Sequence, residues 1–262
     1  RAAMTSQPPR TPSQAHRASC FALSLALATC LPALAHGYAG KLLSKHDCPV
    51  GEPTGMTSDG QALWVSDLAT RTLVKVRPAD GTVADKLDAT GDRPSGLAFH
   101  DGLLFAADRE KPFIGRRRLD GGPDLSPVPY YEQWAGGLAH DGSSLWVVDQ
   151  RAAKLHQLDP ADGTTIRSFD APARAPTGLA FDGRYLWVAD HGTDELYMVD
   201  PRDGKVILAL TAPGPYPSAL AVLRGALWVA DYQSRQLYEV ALPDGTPYIE
   251  EKPRRARVSY ET

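Results

Sequence analysis

Between Pro176 and Leu210 the chain alternates short apolar or β-branched runs with turn pairs. The runs are Pro176 to Phe181 ahead of Asp182-Gly183, Tyr185 to Asp190, Glu195 to Val199, and Lys205 to Leu210 beyond Asp203-Gly204. Runs this short, bounded by Asp-Gly, predict four antiparallel strands. Asp80-Gly81, Asp162-Gly163 and Asp244-Gly245 share the register of Asp203-Gly204 and predict hairpins between third and fourth strands, because Asp-Gly favours the positive φ of such turns.

This unit is copied. Trp64, Phe105, Trp146, Trp187 and Trp228 follow one another at intervals of 41 residues, and all but Phe105 sit in a Leu-Trp-Val triplet. The same step links Asp67, Asp108, Asp149, Asp190 and Asp231, and also Gly55, Gly96, Gly137 and Gly178, with Ala219 in the fifth slot. A period near 40 with several short strands per copy predicts an all-β, five-bladed β-propeller with four-stranded blades over residues 36–248. Lys41-Leu42-Leu43-Ser44 followed by Pro53 matches Lys205-Val206-Ile207-Leu208 followed by Pro217. Lys41 to His46 is therefore expected to be the outermost strand of the fifth blade, closing the ring and leaving no open edge.

The rows themselves have structural readings. The tryptophans fit packing between blades. The five aspartates could form an acidic ring, but their identical repetition fits acceptors for their own turns better. The short Asp-Gly turns, with no Glu at the twelfth position, are not calcium loops.

Composition narrows the setting. Ala18 to Leu31 are apolar, follow Arg10 and Arg17, and lead to Ala33-Leu34-Ala35, the pattern of a cleaved signal peptide over residues 1–35. The mature chain, from His36, is expected to be exported, periplasmic or secreted, with no transmembrane helix. Lipid attachment at Cys30 is the alternative. Residues 1–35 hold three arginines and no acid, so their removal shifts the formal charge from −3 to −6, which argues against nucleic acid as a partner. Only Cys48 remains beyond the leader, so no disulfide within the ring is expected. No asparagine occurs, which excludes N-glycosylation and disfavours the metal-centred propellers that hydrolyse lactones, whose ligands include asparagine.

No metalloprotease, phosphate-cradling, dinucleotide or nucleophile-elbow motif occurs. His140 and His156 fall within strand patterns, whereas His191 follows a row aspartate in a loop expected to face the axis. The loops from second to third strands and those between blades share that axial face. Symmetry breaks there around Arg109-Glu110-Lys111-Pro112-Phe113 and Tyr130-Tyr131-Glu132-Gln133-Trp134. Arg93, Arg109, Tyr130, Tyr131, Glu132, Trp134, His191, Tyr216 and Tyr232 are the candidate ligand-binding residues, aromatic faces beside charges suited to a protein, peptide or sugar ligand. No metal-binding side-chain cluster is expected, although backbone carbonyls near Gly55, Gly96, Gly137 and Gly178 could hold a structural ion in the central channel.

Two families share parts of this pattern. Pro176 to Asp190 resembles repeats of exported bacterial propellers that precede a transglutaminase-like domain. That resemblance implies a binding module at the N-terminal end of a larger protein, with residues 249–262 as a linker or the start of the next domain and the catalytic Cys, His and Asp beyond Thr262. Tyr131 to Gly142 is similar to a segment of the plant and bacterial glutaminyl cyclases, five-bladed propellers that form N-terminal pyroglutamate. That likeness implies Glu132 as the proton shuttle, with Trp134 beside it. The cyclase opening is replaced here by Glu52-Pro53-Thr54-Gly55-Met56, and its Ser-Asp-Gly by Val148-Asp149-Gln150.

Overall fold

The computed structural model describes residues 40–132, 134–243 and 257–258. The expected leader, residues 1–35, and the expected junction at 249–262, apart from Arg257–Val258, lie outside the described residues. Every regular element described is a strand. After β1 (Leu42–Asp47), the first blade holds β2 (Pro53–Ser58), β3 (Leu63–Asp67), β4 (Thr72–Val76) and β5 (Val83–Asp88). The second holds β6 (Pro94–His100), β7 (Leu103–Asp108), β8 (Phe113–Arg118) and β9 (Leu125–Pro129). The third holds β10 (Ala135–His140), β11 (Leu145–Asp149), β12 (Lys154–Leu158) and β13 (Thr165–Asp170). The fourth holds β14 (Pro176–Phe181), β15 (Leu186–Asp190), β16 (Glu195–Val199) and β17 (Val206–Thr211). The fifth holds β18 (Pro217–Leu223), β19 (Ala226–Asp231) and β20 (Gln236–Ala241), completed by β1. Two residues, β21 (Arg257–Val258), run parallel to β17 at the outer edge of the fourth blade.

The ring closes as the sequence predicts. β1 pairs antiparallel with β20, with Lys45 opposite Tyr238 and His46 opposite Leu237, so first and last segments of the ring share one sheet. The five inner strands β2, β6, β10, β14 and β18 surround the axis, each touching the next. Their closeness explains the glycine row. A Cβ at Gly55 would lie 1.9 Å from the Ser95 carbonyl oxygen, and one at Gly96 would lie 2.1 Å from that of Gly136. Only glycine allows neighbouring inner strands to approach this closely. Each inner strand also shifts register near this point against its partner, between Pro53 and Gly55 in β2 and between Pro94 and Leu97 in β6, for example.

The aromatic row fills the spaces between blades. Trp187 packs with Leu227 and Val229 of the fifth blade, Trp228 with Leu63 and Val65 of the first, and Trp64 with Leu97 and Leu104 of the second. Phe105 meets Leu145 and Val147 of the third, and Trp146 meets Leu186 and Val188 of the fourth. All five are at most 3 % exposed. Burial of such rings is the main apolar stabilisation of each interface.

A second aspartate row, five residues before the tryptophans, holds the indoles in place. Asp59, Asp141 and Asp182 accept hydrogen bonds from the Nε1 atoms of Trp64, Trp146 and Trp187 at 3.1, 2.8 and 2.8 Å. Burial opposes the Asp59 charge. Lys75, 2.8 Å away, together with the N–H groups of Ala62, Gln61 and Trp64, outweighs it and holds the carboxyl below its ordinary range. The second blade has His100 and Phe105 in the two slots, and His100 instead stacks on His140 at 4.0 Å. Burial, reinforced by His100, lowers the His140 pKa to about 4. The fifth blade has Leu223 in the acid's place, and the buried Trp228 Nε1 lacks a partner.

Cys48 is a free, partly buried thiol whose pKa burial raises to about 11. No helix among the described residues is long and apolar enough to cross a membrane.

Candidate functional site

The first aspartate row builds one end of the ring without forming an acidic rim. All five side chains are at most 4 % exposed. Asp190 accepts the N–H of Ala175 at 2.7 Å, from the connection entering its own blade, and those of Gly192 and Thr193, from its own turn. Asp67, Asp108 and Asp231 bridge the same two segments. The expectation that these acids serve their own turns thus holds, with the added finding that they also tie down the connection between blades. Asp149 holds its own turn through Arg151 and Ala152.

Above this layer opens a cavity of about 800 Å³. The residue following each row aspartate lines it, and the five differ: Leu68, Arg109, Gln150, His191 and Tyr232. Each is pinned by its backbone. Leu68, Arg109, Gln150, His191 and Tyr232 donate their N–H groups to the carbonyls of Glu52, Arg93, Trp134, Ala175 and Tyr216 at 2.9 to 3.2 Å. One repeated backbone device therefore presents five unlike side chains around one axis. The floor adds the hydroxyl residues Thr54, Thr177 and Ser218 from the inner strands.

Three rings form one wall. His191 stacks on Tyr216 with centroids 4.4 Å apart, and Tyr216 lies 5.4 Å from Tyr232. Burial, despite Arg109 nearby, raises the Tyr216 phenol above its ordinary pKa. Trp134 forms part of the rim, 46 % exposed, with a left-handed backbone at φ 70°. That conformation is costly for a bulky side chain. Just beyond it, the Gln150 side chain occupies the space beside Gly136, where a Cβ would lie 2.6 Å from its Cγ.

Arg109 is a half-buried charge of the cavity. Its Nε is buried without a partner, and the guanidinium makes no hydrogen bond or ion pair among the described residues. Burial, then the neighbouring Arg93, lowers its pKa, while Tyr216 and Tyr232 oppose the shift. Arg151 and Arg174 also line the cavity, and no carboxylate does among the described lining residues.

Of the residues expected to bind ligand, the structure brings together Arg109, Trp134, His191, Tyr216 and Tyr232. Four lie outside the lining. Arg93 faces outward beside Glu110 at 3.5 Å. Tyr130 is buried edge-on to His156, and Tyr131 is 83 % exposed. Glu132 is exposed, and its neighbour Gln133 lies outside the described residues. The sequence reading missed Thr54, Gln150, Arg151, Arg174, Thr177 and Ser218. Their signal was present in the slots after Asp149 and at or just before the starts of the inner strands, where the repeat preserves position while varying chemistry.

No cluster of three His, Cys, Asp or Glu side chains able to hold a metal occurs among the described residues. At the axis, the carbonyls of Pro94, Ser95 and Pro217 accept hydroxyls of Thr54, Ser66 and Thr177 at 2.7 to 2.8 Å. These oxygens, beside the positions considered for a central ion, are engaged in bonds between blades.

Residues 151–247, less than half the chain, match the family model of the outer membrane protein assembly factor BamB. Among solved structures, the glutaminyl cyclase of Myxococcus xanthus is similar with a TM-score of 0.67 and 13% identity, covering 77% of this chain and 95% of the cyclase. A structure of a nidogen/laminin complex is similar with a TM-score of 0.51 and 21% identity, covering 63% of this chain and 65% of that one. At these identities the likeness is one of fold. No curated protein sequence matches the chain.

Proposed function

We propose that this chain is an extracytoplasmic binding module whose ligand sits in the axial cavity. The observation that carries the reading is the contrast between five near-identical aspartate turns and the five unlike side chains that follow them. Packing alone gives no reason for Leu68, Arg109, Gln150, His191 and Tyr232 to diverge on a common scaffold, whereas recognition of an asymmetric ligand does. The leader-like start and the match to an outer membrane protein assembly factor support placement outside the cytoplasm. The likeness of Pro176 to Asp190 to propellers preceding transglutaminase-like domains supports a role as the N-terminal module of a larger protein.

The test is a ligand-observed NMR screen with a fragment set of small ring compounds, acidic, neutral and basic, against the intact chain and its Trp134→Ala and Tyr216→Ala variants. Hits are expected to lose their signals in one or both variants while the ring stays folded. Hits that bind both variants as they bind the parent would place the site elsewhere.

The glutaminyl-cyclase reading draws support from the Tyr131 to Gly142 segment and the fold likeness. Its proton shuttle would be Glu132, which is exposed and outside the cavity lining. A general base needs to reach the reacting group, so the binding reading is preferred. Incubation with Gln-initiated peptides is expected to release no ammonia. Release that disappears in Glu132→Ala would reverse this preference.

A further inference from the structure

The charge of the cavity is opposite to that of the chain. The whole sequence carries a formal charge of −3, yet the lining holds three guanidiniums, Arg109, Arg151 and Arg174, and no carboxylate among the described residues. The carboxylates beneath the cavity are committed to backbone: Asp108 to the N–H groups of Arg93 and Glu110, Asp190 to those of Ala175, Gly192 and Thr193, and Asp231 to those of Tyr216 and Ser234, while Glu110 pairs with the Arg93 side chain. Arg109 is half-buried with its Nε unpartnered. A desolvated guanidinium with no acceptor is costly, and the usual remedy is an anionic partner in its planar fork. His191 Nδ1, on the aromatic wall, is also buried without a partner.

Ring-sized apolar surface adjoins that cation. Tyr216 and Tyr232 lie close enough to Arg109 to influence its charge, and the exposed Trp134 stands at the rim. Because His191 stacks on Tyr216 and Tyr232 packs against Tyr216 at a tilt of 48°, no slot is left between the rings for a flat ligand, and the exposed part of Tyr232 suits the C–H face of a saturated ring lying across it. Gln150 brings an amide to the same space, and the hydroxyl oxygens of Thr54, Thr177 and Ser218, whose protons go to backbone carbonyls, offer acceptor lone pairs there. A ring with many hydroxyls and one acidic group matches all three features.

Building on the binding reading of this same cavity, we infer that its ligand is an acidic sugar, with the carboxylate held by Arg109 and the ring face against the exposed Tyr232 and Trp134. Arg174 adds long-range attraction, so binding weakens as salt rises.

The experiment compares trisaccharides of glucuronic acid, glucose and glucosamine by calorimetric titration of the intact chain and of Arg109→Gln, Arg109→Lys and Trp134→Ala. The glucuronic acid trisaccharide is expected to bind at least about tenfold more tightly than the glucose one. Arg109→Gln is expected to abolish that preference without changing the circular dichroism, and Arg109→Lys to keep part of it, because charge persists without the fork. Equal binding of acidic and neutral sugars, both lost in Trp134→Ala, would overturn the charge inference and leave the cavity as a binding site. Binding of a nucleoside monophosphate in preference to the acidic sugar would overturn the ligand class. Failure of all three trisaccharides would overturn the sugar inference, and the fragment screen above would then decide whether the cavity reading survives.

Discussion

Asp190 and His191 are adjacent in the chain and belong to different parts of the molecule's logic. Asp190, 1 % exposed, recurs identically in every blade and holds backbone on both sides of it. His191 has a different counterpart in each blade, and its side chain lines the cavity. The contrast extends around the ring. The glycine, tryptophan and aspartate rows form a layer in which geometry dictates the residue, and one position further along geometry dictates only where the side chain is presented.

The comparison breaks most readily in the layer of fixed residues. Gly55→Ala places a Cβ 1.9 Å from a backbone oxygen of the next blade and is expected to destabilise the ring by more than about 3 kcal/mol in urea unfolding. Gly60→Ala, in open space but at φ 85°, is expected to cost about 1 kcal/mol. Comparable losses at the two positions would mean that inner-strand approach is not what the glycine row serves. Next in size, Asp190→Ala takes the buried carboxylate acceptor from the N–H groups of Ala175, Gly192 and Thr193, at about 2 kcal/mol because water reaches part of the turn. His191→Ala is expected to cost under about 1 kcal/mol in the same assay and to affect binding instead.

The smallest effect comes from the other end of the inner strands, where His100 takes the slot of the acid in the second blade and stacks on His140 of the third. The folded pKa of His140, about 4, lies below the ordinary histidine value of about 6.5, so the unfolded chain binds the proton more readily. Stability is therefore full above about pH 6.5 and declines as pH falls towards about 4. Unfolding free energies measured across that window should decline less steeply in His140→Gln. An unchanged slope would remove His140 as the cause. At lower pH, the depressed carboxyls Asp59 and Asp141 contribute stability that is lost as the medium falls through their folded pKa values.

Much of the fixed layer was legible in the sequence because each of its residues is determined by a local constraint that the repeat copies. The closing strand was legible for the same reason, since Lys41-Leu42-Leu43-Ser44 repeats Lys205-Val206-Ile207-Leu208. The row of Asp59, Asp141 and Asp182 was equally visible but yielded its role only when the indole N–H groups were seen against it. The cavity was half legible. Arg109, His191 and Tyr232 follow row aspartates, so their direction is inherited from the repeat. The segment from Tyr130 to Trp134 has no such inheritance: the backbone is left-handed at Trp134, and among the segment's described residues only that tryptophan is on the lining.

The most direct test of the account is a thermal unfolding series on the Arg109→Ala/Gln150→Ala/Tyr232→Ala triple variant and the parent, each with and without the glucuronic acid trisaccharide. The account predicts that the parent melts higher with the sugar, while the variant melts within a few degrees of the unliganded parent and does not respond to it. A variant that unfolds far below the parent, or that the sugar still stabilises, would contradict the separation of a fixed scaffold from a freely varied binding face.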